Sequence, residues 1–134
     1  MILITGGAGF IGSNLVAALS KKAGVPKITV VDRFGIDDKW KNLSNHVVHQ
    51  IIGPEQLDRY LSENDGSIEY VFHLGAISST TEKDVDLILR NNFNLSLKLW
   101  KWCTSHRIPF IYASSAATYG DGKNGFNDHF DPIE

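Results

Sequence analysis

The sequence predicts an α/β domain built on a doubly wound parallel sheet. Three observations carry this. Short, continuous apolar runs alternate with helix-spaced segments along the chain. A glycine-rich stretch, "TGGAGFIG" at residues 5–12, separates the first apolar run from the first helical pattern. An acid, Asp32, directly follows the second apolar run.

The elements follow in order. Ile2-Leu3-Ile4 reads as a short buried strand. Phe10, Ile11, Leu15, Val16 and Leu19 have helical spacing, predicting a helix from Phe10 to Lys22 that Gly24 and Pro26 end. The adjacent Lys21 and Lys22 suit the last turn, where cations complement the helix dipole. Ile28 to Val31 is the second strand, and Val47, Val48, Ile51 and Ile52 suggest a third. Pro54 fits the first turn of a helix running to about Asn64. Ile68 to Leu74, rich in β-branched and aromatic residues, is a fourth strand. A long helix is expected over Val85 to His106, then a fifth strand over Phe110 to Ala113. Beyond Tyr119 the chain turns glycine-rich, and no further element of any length is expected before Glu134.

Composition narrows the classes of function. The chain has 134 residues, which suits one domain, and 43% hydrophobic with 21% charged residues is ordinary for a globular protein. A net charge of −2 with scattered cations gives no pull toward nucleic acid or a membrane surface, so neither is an expected partner. No apolar run reaches membrane-spanning length, and the first residues lack the basic start of a signal peptide. Cys103 is the single cysteine, so no internal disulfide and no paired zinc ligands are expected; a buried structural thiol in a reducing cytoplasm fits. His46 and His49, three apart, fall on opposite faces of a strand, which argues against a metal site.

Gly7, Gly9 and Gly12 form G-x-G-x-x-G, which acquires meaning only between a strand and a helix, the context expected here. The first glycine would allow a tight turn with positive φ, the second would leave room for a pyrophosphate, and the third would let the helix pack closely. The helix start adds free N–H groups and a positive dipole end. Asp32 stands twenty residues after Gly12, where an acid holds the adenosine ribose of a dinucleotide. The bland alternative is a glycine turn that merely packs a helix on a strand. Asp32 favours NAD, but Arg33 beside it can accommodate the 2′-phosphate of NADP. Lys39 and Lys41 follow; all three cations also read as solvated loop charges.

Residues 5–12 resemble the T-G-x-x-G-x-x-G fingerprint of the extended short-chain dehydrogenase/reductase family, whose cofactor domain is a Rossmann fold. "FHLGAISSTTE" (72–82), "NNFNLSLKL" (91–99) and "PFIYASSAATYG" (109–120) resemble segments of its ADP-L-glycero-D-manno-heptose 6-epimerase branch. The resemblance covers essentially the whole chain. It implies a nucleotide-sugar epimerase acting on ADP-heptose at C6 by transient oxidation and reduction with bound NADP, in the synthesis of lipopolysaccharide inner-core precursors. It further implies that Gly6, Gly7, Gly9, Phe10, Ile11 and Gly12 surround the pyrophosphate, and that Asp32, Arg33 and Lys39 face the adenosine end. Leu74, Gly75, Ala76, Ile77 and Ser78 would run along the cofactor, with Asn91 reaching back toward that loop; the adjacent Asn92 leaves the choice within the pair open. Ser115 would be the catalytic hydroxyl, and Ser79, Thr80 and Thr81 would face the substrate. Residues 78–81 read alternatively as a helix cap with Glu82 completing a capping box. His73 reads as a packing residue.

The same family places a Tyr-x-x-x-Lys pair on the helix after the fifth strand. Only Tyr119 and Lys123 match that spacing, in a glycine-rich stretch poor in helix formers. The chain is therefore expected to be the cofactor-binding N-terminal part of an enzyme, ending after about the fifth strand, without the sugar-binding lobe and inactive alone. His129, in the tail, is a further residue that could approach Ser115. Apolar residues on two faces of the long helix suggest a homo-oligomer. Two other readings remain open: another nucleotide-sugar epimerase or dehydratase, and a non-catalytic dinucleotide-binding module.

Overall fold

A computed structural model describes residues 1–36, 38–123 and 125–127. It has a five-stranded parallel sheet in the order β3-β2-β1-β4-β5. The strands are β1 (Ile2–Thr5), β2 (Ile28–Val31), β3 (Gln50–Ile52), β4 (Tyr70–His73) and β5 (Phe110–Tyr112). The helices are α1 (Phe10–Ser20), α2 (Leu57–Glu63), α3 (Val85–Ile88) and α4 (Leu95–His106). This is the doubly wound arrangement expected, and the strand order reverses between β1 and β4.

β1 is central because all four of its residues are buried, with β2 on one side and β4 on the other. Alternation along the strand divides its side chains between two cores. Ile2 and Ile4 join Val16 of α1, Val30 and Leu43 on one face. Leu3 joins Leu57, Tyr60 and Leu61 of α2 and Leu99 and Cys103 of α4 on the other. Burying a side chain such as Leu99 fully contributes about 2 kcal/mol. The Tyr60 hydroxyl, within that apolar layer, is satisfied by Thr29 Oγ1 at 2.7 Å.

Several boundaries differ from expectation. α1 stops at Ser20, where a turn bond from Lys22 N–H to the Leu19 carbonyl replaces the helical pattern. β3 starts only at Gln50, and Val47 lies exposed in the approach to it. The expected helix at Pro54 begins as a 3-10 turn, Pro54–Gln56, before α2. A 3-10 segment at Asp38–Leu43, anchored by buried Leu43, has no periodic apolar pattern to announce it. The long helix is not uniform: a π turn, Leu89–Asn94, joins α3 to α4. α4 ends where Arg107 adopts a left-handed conformation (φ 57°) and Ile108 N–H caps the Cys103 carbonyl at 2.9 Å. Cys103 is buried as expected, and burial pushes its thiol up to about 11, far from a reactive thiolate. Among the described residues no helix is long and apolar enough to cross a membrane.

Candidate dinucleotide-binding site

The C-terminal ends of β1, β2 and β4 converge on the glycine turn. After Thr5, Gly6 N–H bonds the Val31 carbonyl at 2.8 Å, and Gly9 N–H bonds the Gly6 carbonyl at 3.0 Å. The positive φ of this turn belongs to Gly6 (φ 67°), not to Gly7 as expected. Gly7 is needed for another reason: a Cβ there would lie 2.8 Å from a Val30 methyl. Gly12 packs closest, since a Cβ would sit 2.2 Å from the Gly6 carbonyl oxygen and 2.7 Å from Gly7 Cα. At Gly9 a Cβ would meet only the Gly6 oxygen, at 3.2 Å, so the space before α1 is open there.

Gly9 caps α1 without any side-chain bond, and the first turn holds no acid. Helical geometry leaves the first-turn amides of Phe10, Ile11 and Gly12 without intrahelical acceptors. The first-turn side chains are apolar and open: Phe10 is 85% and Ile11 63% exposed. An uncapped amide end, an open glycine and no competing carboxylate fit a pyrophosphate.

Asp32 projects from the end of β2 with its carboxylate only 6% exposed. One oxygen accepts from Ala8 N–H at 2.8 Å; the other accepts from Arg33 N–H at 2.7 Å and Lys39 Nζ at 2.6 Å. Asn42 Nδ2 donates to the Ala8 carbonyl at 2.9 Å, so Asp32 and Asn42 bind the N–H and the carbonyl of one residue of the turn. Asn42 has no sequence motif to mark it. The Arg33 side chain is mostly exposed and reaches Glu55 at 3.4 Å.

On the other side of the turn, Leu74 N–H bonds the Thr5 carbonyl at 3.0 Å, and Leu74 packs into the α1 core. Gly75 passes so close that a Cβ on Gly6 would lie 2.6 Å from Gly75 nitrogen. Ala76 and Ser78 are exposed, whereas Ile77 is half-buried and is gripped by Asn92: Ile77 N–H donates to Oδ1 at 2.7 Å, and Nδ2 donates to the Ile77 carbonyl at 2.9 Å. The reach toward this loop expected of Asn91 is thus made by its neighbour. Asn91 Nδ2 donates instead to the Leu87 carbonyl one turn back. A shift of one residue on a helix rotates a side chain by about 100°, and the pattern N-N alone does not say which member faces inward.

Ser79, Thr80 and Thr81 are exposed, and Ser79 Oγ lies 3.0 Å from Thr81 Oγ1. The capping alternative for this stretch fails. Asp84 caps α3 by accepting from Leu87 N–H at 2.9 Å, and Glu82 accepts from Lys83 and Asp84 N–H groups. Ser115 is exposed just beyond β5 and caps a 3-10 turn, Ala116–Tyr119, accepting from Ala117 N–H at 3.2 Å. Gly120 (φ 58°) ends that turn, and Lys123 pairs with Asp121 at 2.6 Å, so Tyr119 and Lys123 share no helix. His129 lies outside the described residues. His73 is buried, as expected of a packing residue, but it is also hydrogen-bonded through both ring nitrogens.

The model of the NAD dependent epimerase/dehydratase family matches residues 2–133. The chain belongs to that family. An ADP-L-glycero-D-manno-heptose-6-epimerase of Fusobacterium nucleatum is 44% identical over 136 aligned positions, covering all of this chain and 41% of that protein. One from Alkalilimnicola ehrlichii is 46% identical over 131 positions, covering 96% and 40%. The chain thus spans about two-fifths of the length of these curated relatives. Among solved family structures, the Helicobacter pylori ADP-L-glycero-D-manno-heptose-6-epimerase superposes with a TM-score of 0.74 at 32% identity, covering 96% of this chain and 45% of that one. The Bacillus cereus UDP-glucuronic acid 4-epimerase, solved with NAD, superposes at 0.72 and 32% identity, covering 90% and 41%. Membership in this family supports a nicotinamide dinucleotide as the cofactor class.

Proposed function

We propose that this chain is the dinucleotide-binding part of an epimerase that inverts C6 of ADP-heptose, with NADP as the preferred cofactor and a place in lipopolysaccharide precursor synthesis. The observation that carries the binding role is the glycine turn at the switch between β1 and β4, open at Gly9 and held from both sides by Asp32 and the Leu74–Ile77 loop. Gly6, Gly7, Gly9 and the amides of Phe10, Ile11 and Gly12 take the pyrophosphate. Asp32, Arg33 and Lys39 take the adenosine end, and the backbone of residues 74–78 lines the remainder, with Asn92 behind it. The bound nicotinamide supplies reversible hydride transfer, so that removal and return of hydride on opposite faces inverts a centre without net redox change.

Ser115 holds the reacting hydroxyl, and Ser79, Thr80 and Thr81 orient the sugar. A serine hydroxyl does not accept a proton at neutral pH without a neighbouring base. These 134 residues offer no tyrosine and lysine on a shared helix beside Ser115 among those described. The chain alone therefore binds cofactor and does not turn over ADP-heptose. Incubation with NADP and either heptose epimer tests this: interconversion well above background by the 134-residue chain would contradict it.

Cofactor preference rests on Arg33. Its guanidinium is exposed, and among the described residues its side chain is held by a long, solvent-screened contact to Glu55, which leaves it able to turn to a 2′-phosphate. Arg33→Ala should weaken NADP by about tenfold, the ~1.4 kcal/mol of one charge-assisted contact, and leave NAD nearly unchanged. Calorimetric titration with both cofactors checks this, and equal losses would refute the role of Arg33.

Self-association follows from the second face of the long helix. Leu99 and Cys103 cover the sheet, whereas Leu89, Phe93 and Trp100 lie exposed, and Phe93 and Trp100 line one open cavity with Tyr112 of the edge strand β5. An apolar surface of this kind favours a second copy of the chain. Sedimentation at micromolar concentration should show a dimer that W100E converts to monomer; a monodisperse monomer of the unaltered chain would overturn the idea.

A further inference from the structure

Behind the loop that lines the site runs a polar line, buried at Thr5 and His73 and half-buried at Ser96 and Asn92. His73, at the end of β4, is 5% exposed. Its Nδ1 lies 2.6 Å from Thr5 Oγ1 and its Nε2 lies 2.7 Å from Ser96 Oγ. The direction of each bond follows from counting protons. Ser96 Oγ donates its single proton to the Asn92 carbonyl at 2.8 Å, so it accepts from His73 Nε2–H. A neutral imidazole then has only an acceptor left at Nδ1, so Thr5 Oγ1 donates there. Thr5 Oγ1 in turn accepts from Gly75 N–H at 3.2 Å. At the far end, the Asn92 side chain bonds both the N–H and the carbonyl of Ile77. The hydrogen bonds thus run from Gly75 through Thr5, His73 and Ser96 to the Asn92 main-chain carbonyl, and the side chain of the same Asn92 holds Ile77.

We infer that His73 is a positioning residue: as its Nε2–H tautomer it joins Thr5, Ser96 and Asn92 into one oriented hydrogen-bond line that fixes the backbone of Gly75 to Ile77 against the glycine turn. The π turn at Leu89–Asn94 is part of the device, because Asn92 lies within it and grips the loop from there. π turns are often found at functional sites. Gly75 has little room to move otherwise, since a Cβ on it would lie 3.0 Å from Gly6 nitrogen and 3.1 Å from Thr5 Oγ1. A protonated imidazole would present a donor to Thr5 and break the direction of the line; burial lowers the His73 pKa, which keeps the ring neutral. The consequence for cofactor affinity rests on the dinucleotide-site reading above.

The test uses the whole 134-residue chain. Long-range proton–nitrogen NMR of the His73 ring near neutral pH should show the neutral Nε2–H tautomer alone. Ser96→Ala leaves that N–H unpaired. It should speed amide exchange at both Gly75 and Ile77 by about tenfold beyond any change at Leu3 and Val71, the scale set by one orphaned buried donor. NADP affinity should fall by a similar factor. Ser96→Thr, which keeps the hydroxyl, should restore both. The Nδ1–H tautomer or a protonated ring would overturn the inference. So would exchange at Gly75 and Ile77 that follows Leu3 and Val71, or a Ser96→Thr variant that behaves like Ser96→Ala. If the unaltered chain bound no dinucleotide, the reading of the site would fail, while the tautomer and the exchange rates would still decide the role of His73.

Discussion

Gly9→Val should abolish dinucleotide binding and leave the fold intact. The backbone at Gly9 (φ −71°, ψ 177°) is one that valine adopts readily. A Cβ there touches only the Gly6 carbonyl oxygen, at 3.2 Å, which a few tenths of an ångström of adjustment relieves. The branched side chain would occupy the open space ahead of the α1 amides, where the pyrophosphate is placed. We expect at least a hundredfold loss of affinity, about 2.7 kcal/mol, with a melting temperature close to that of the unaltered chain. Calorimetric titration of the folded variant checks this, and unchanged affinity would remove the glycine turn from the site.

Gly12→Ala should do the reverse in kind, damaging the fold before anything else. Inside a helix, alanine is normally more favourable than glycine by about 1 kcal/mol. At Gly12 the added carbon would lie 2.2 Å from the Gly6 oxygen and 2.7 Å from Gly7 Cα, both backbone atoms with no rotamer to yield. The sign of the effect therefore inverts. A loss of about 2–3 kcal/mol is expected, as for overpacked cores, which lowers the melting temperature by roughly 10 °C. Thermal unfolding measures it, and an equal or raised melting temperature would show that α1 can move away from the turn. Two glycines three residues apart thus separate binding from packing.

The parts of the fold legible in the sequence are those written in apolar runs. Ile2–Thr5 and Ile28–Val31 are buried along their whole length, so the sequence needs no tertiary information to mark them. The 3-10 segment at Asp38–Leu43 is held by a single buried leucine and by Lys39 and Asn42 reaching toward β2 and the glycine turn, contacts that leave no period in the sequence. The π turn is hidden for a related reason. It inserts a residue into a helical pattern that is apolar on two faces already, so the phase shift that turns Asn92 rather than Asn91 toward Ile77 is invisible.

The candidate site divides in the same way. The spacing of Gly7, Gly9, Gly12 and Asp32 is a sequence property, and the four meet at the ends of β1 and β2. Which glycine takes the positive φ depends on the approach of Gly75 from a strand nearly seventy residues away, so Gly6 rather than Gly7 carries it. His73 looked like packing because its partners, Thr5 and Ser96, lie on other elements.

The central claim is that this chain, by itself, holds a nicotinamide dinucleotide at the end of β1. Titration of the 134-residue chain with NADP and NAD, followed by calorimetry, tests it most directly. Saturable one-to-one binding, tighter for NADP and lost in Gly9→Val, is the predicted result. A folded chain that takes up heat from neither cofactor, or binds both equally with and without the valine, would contradict it.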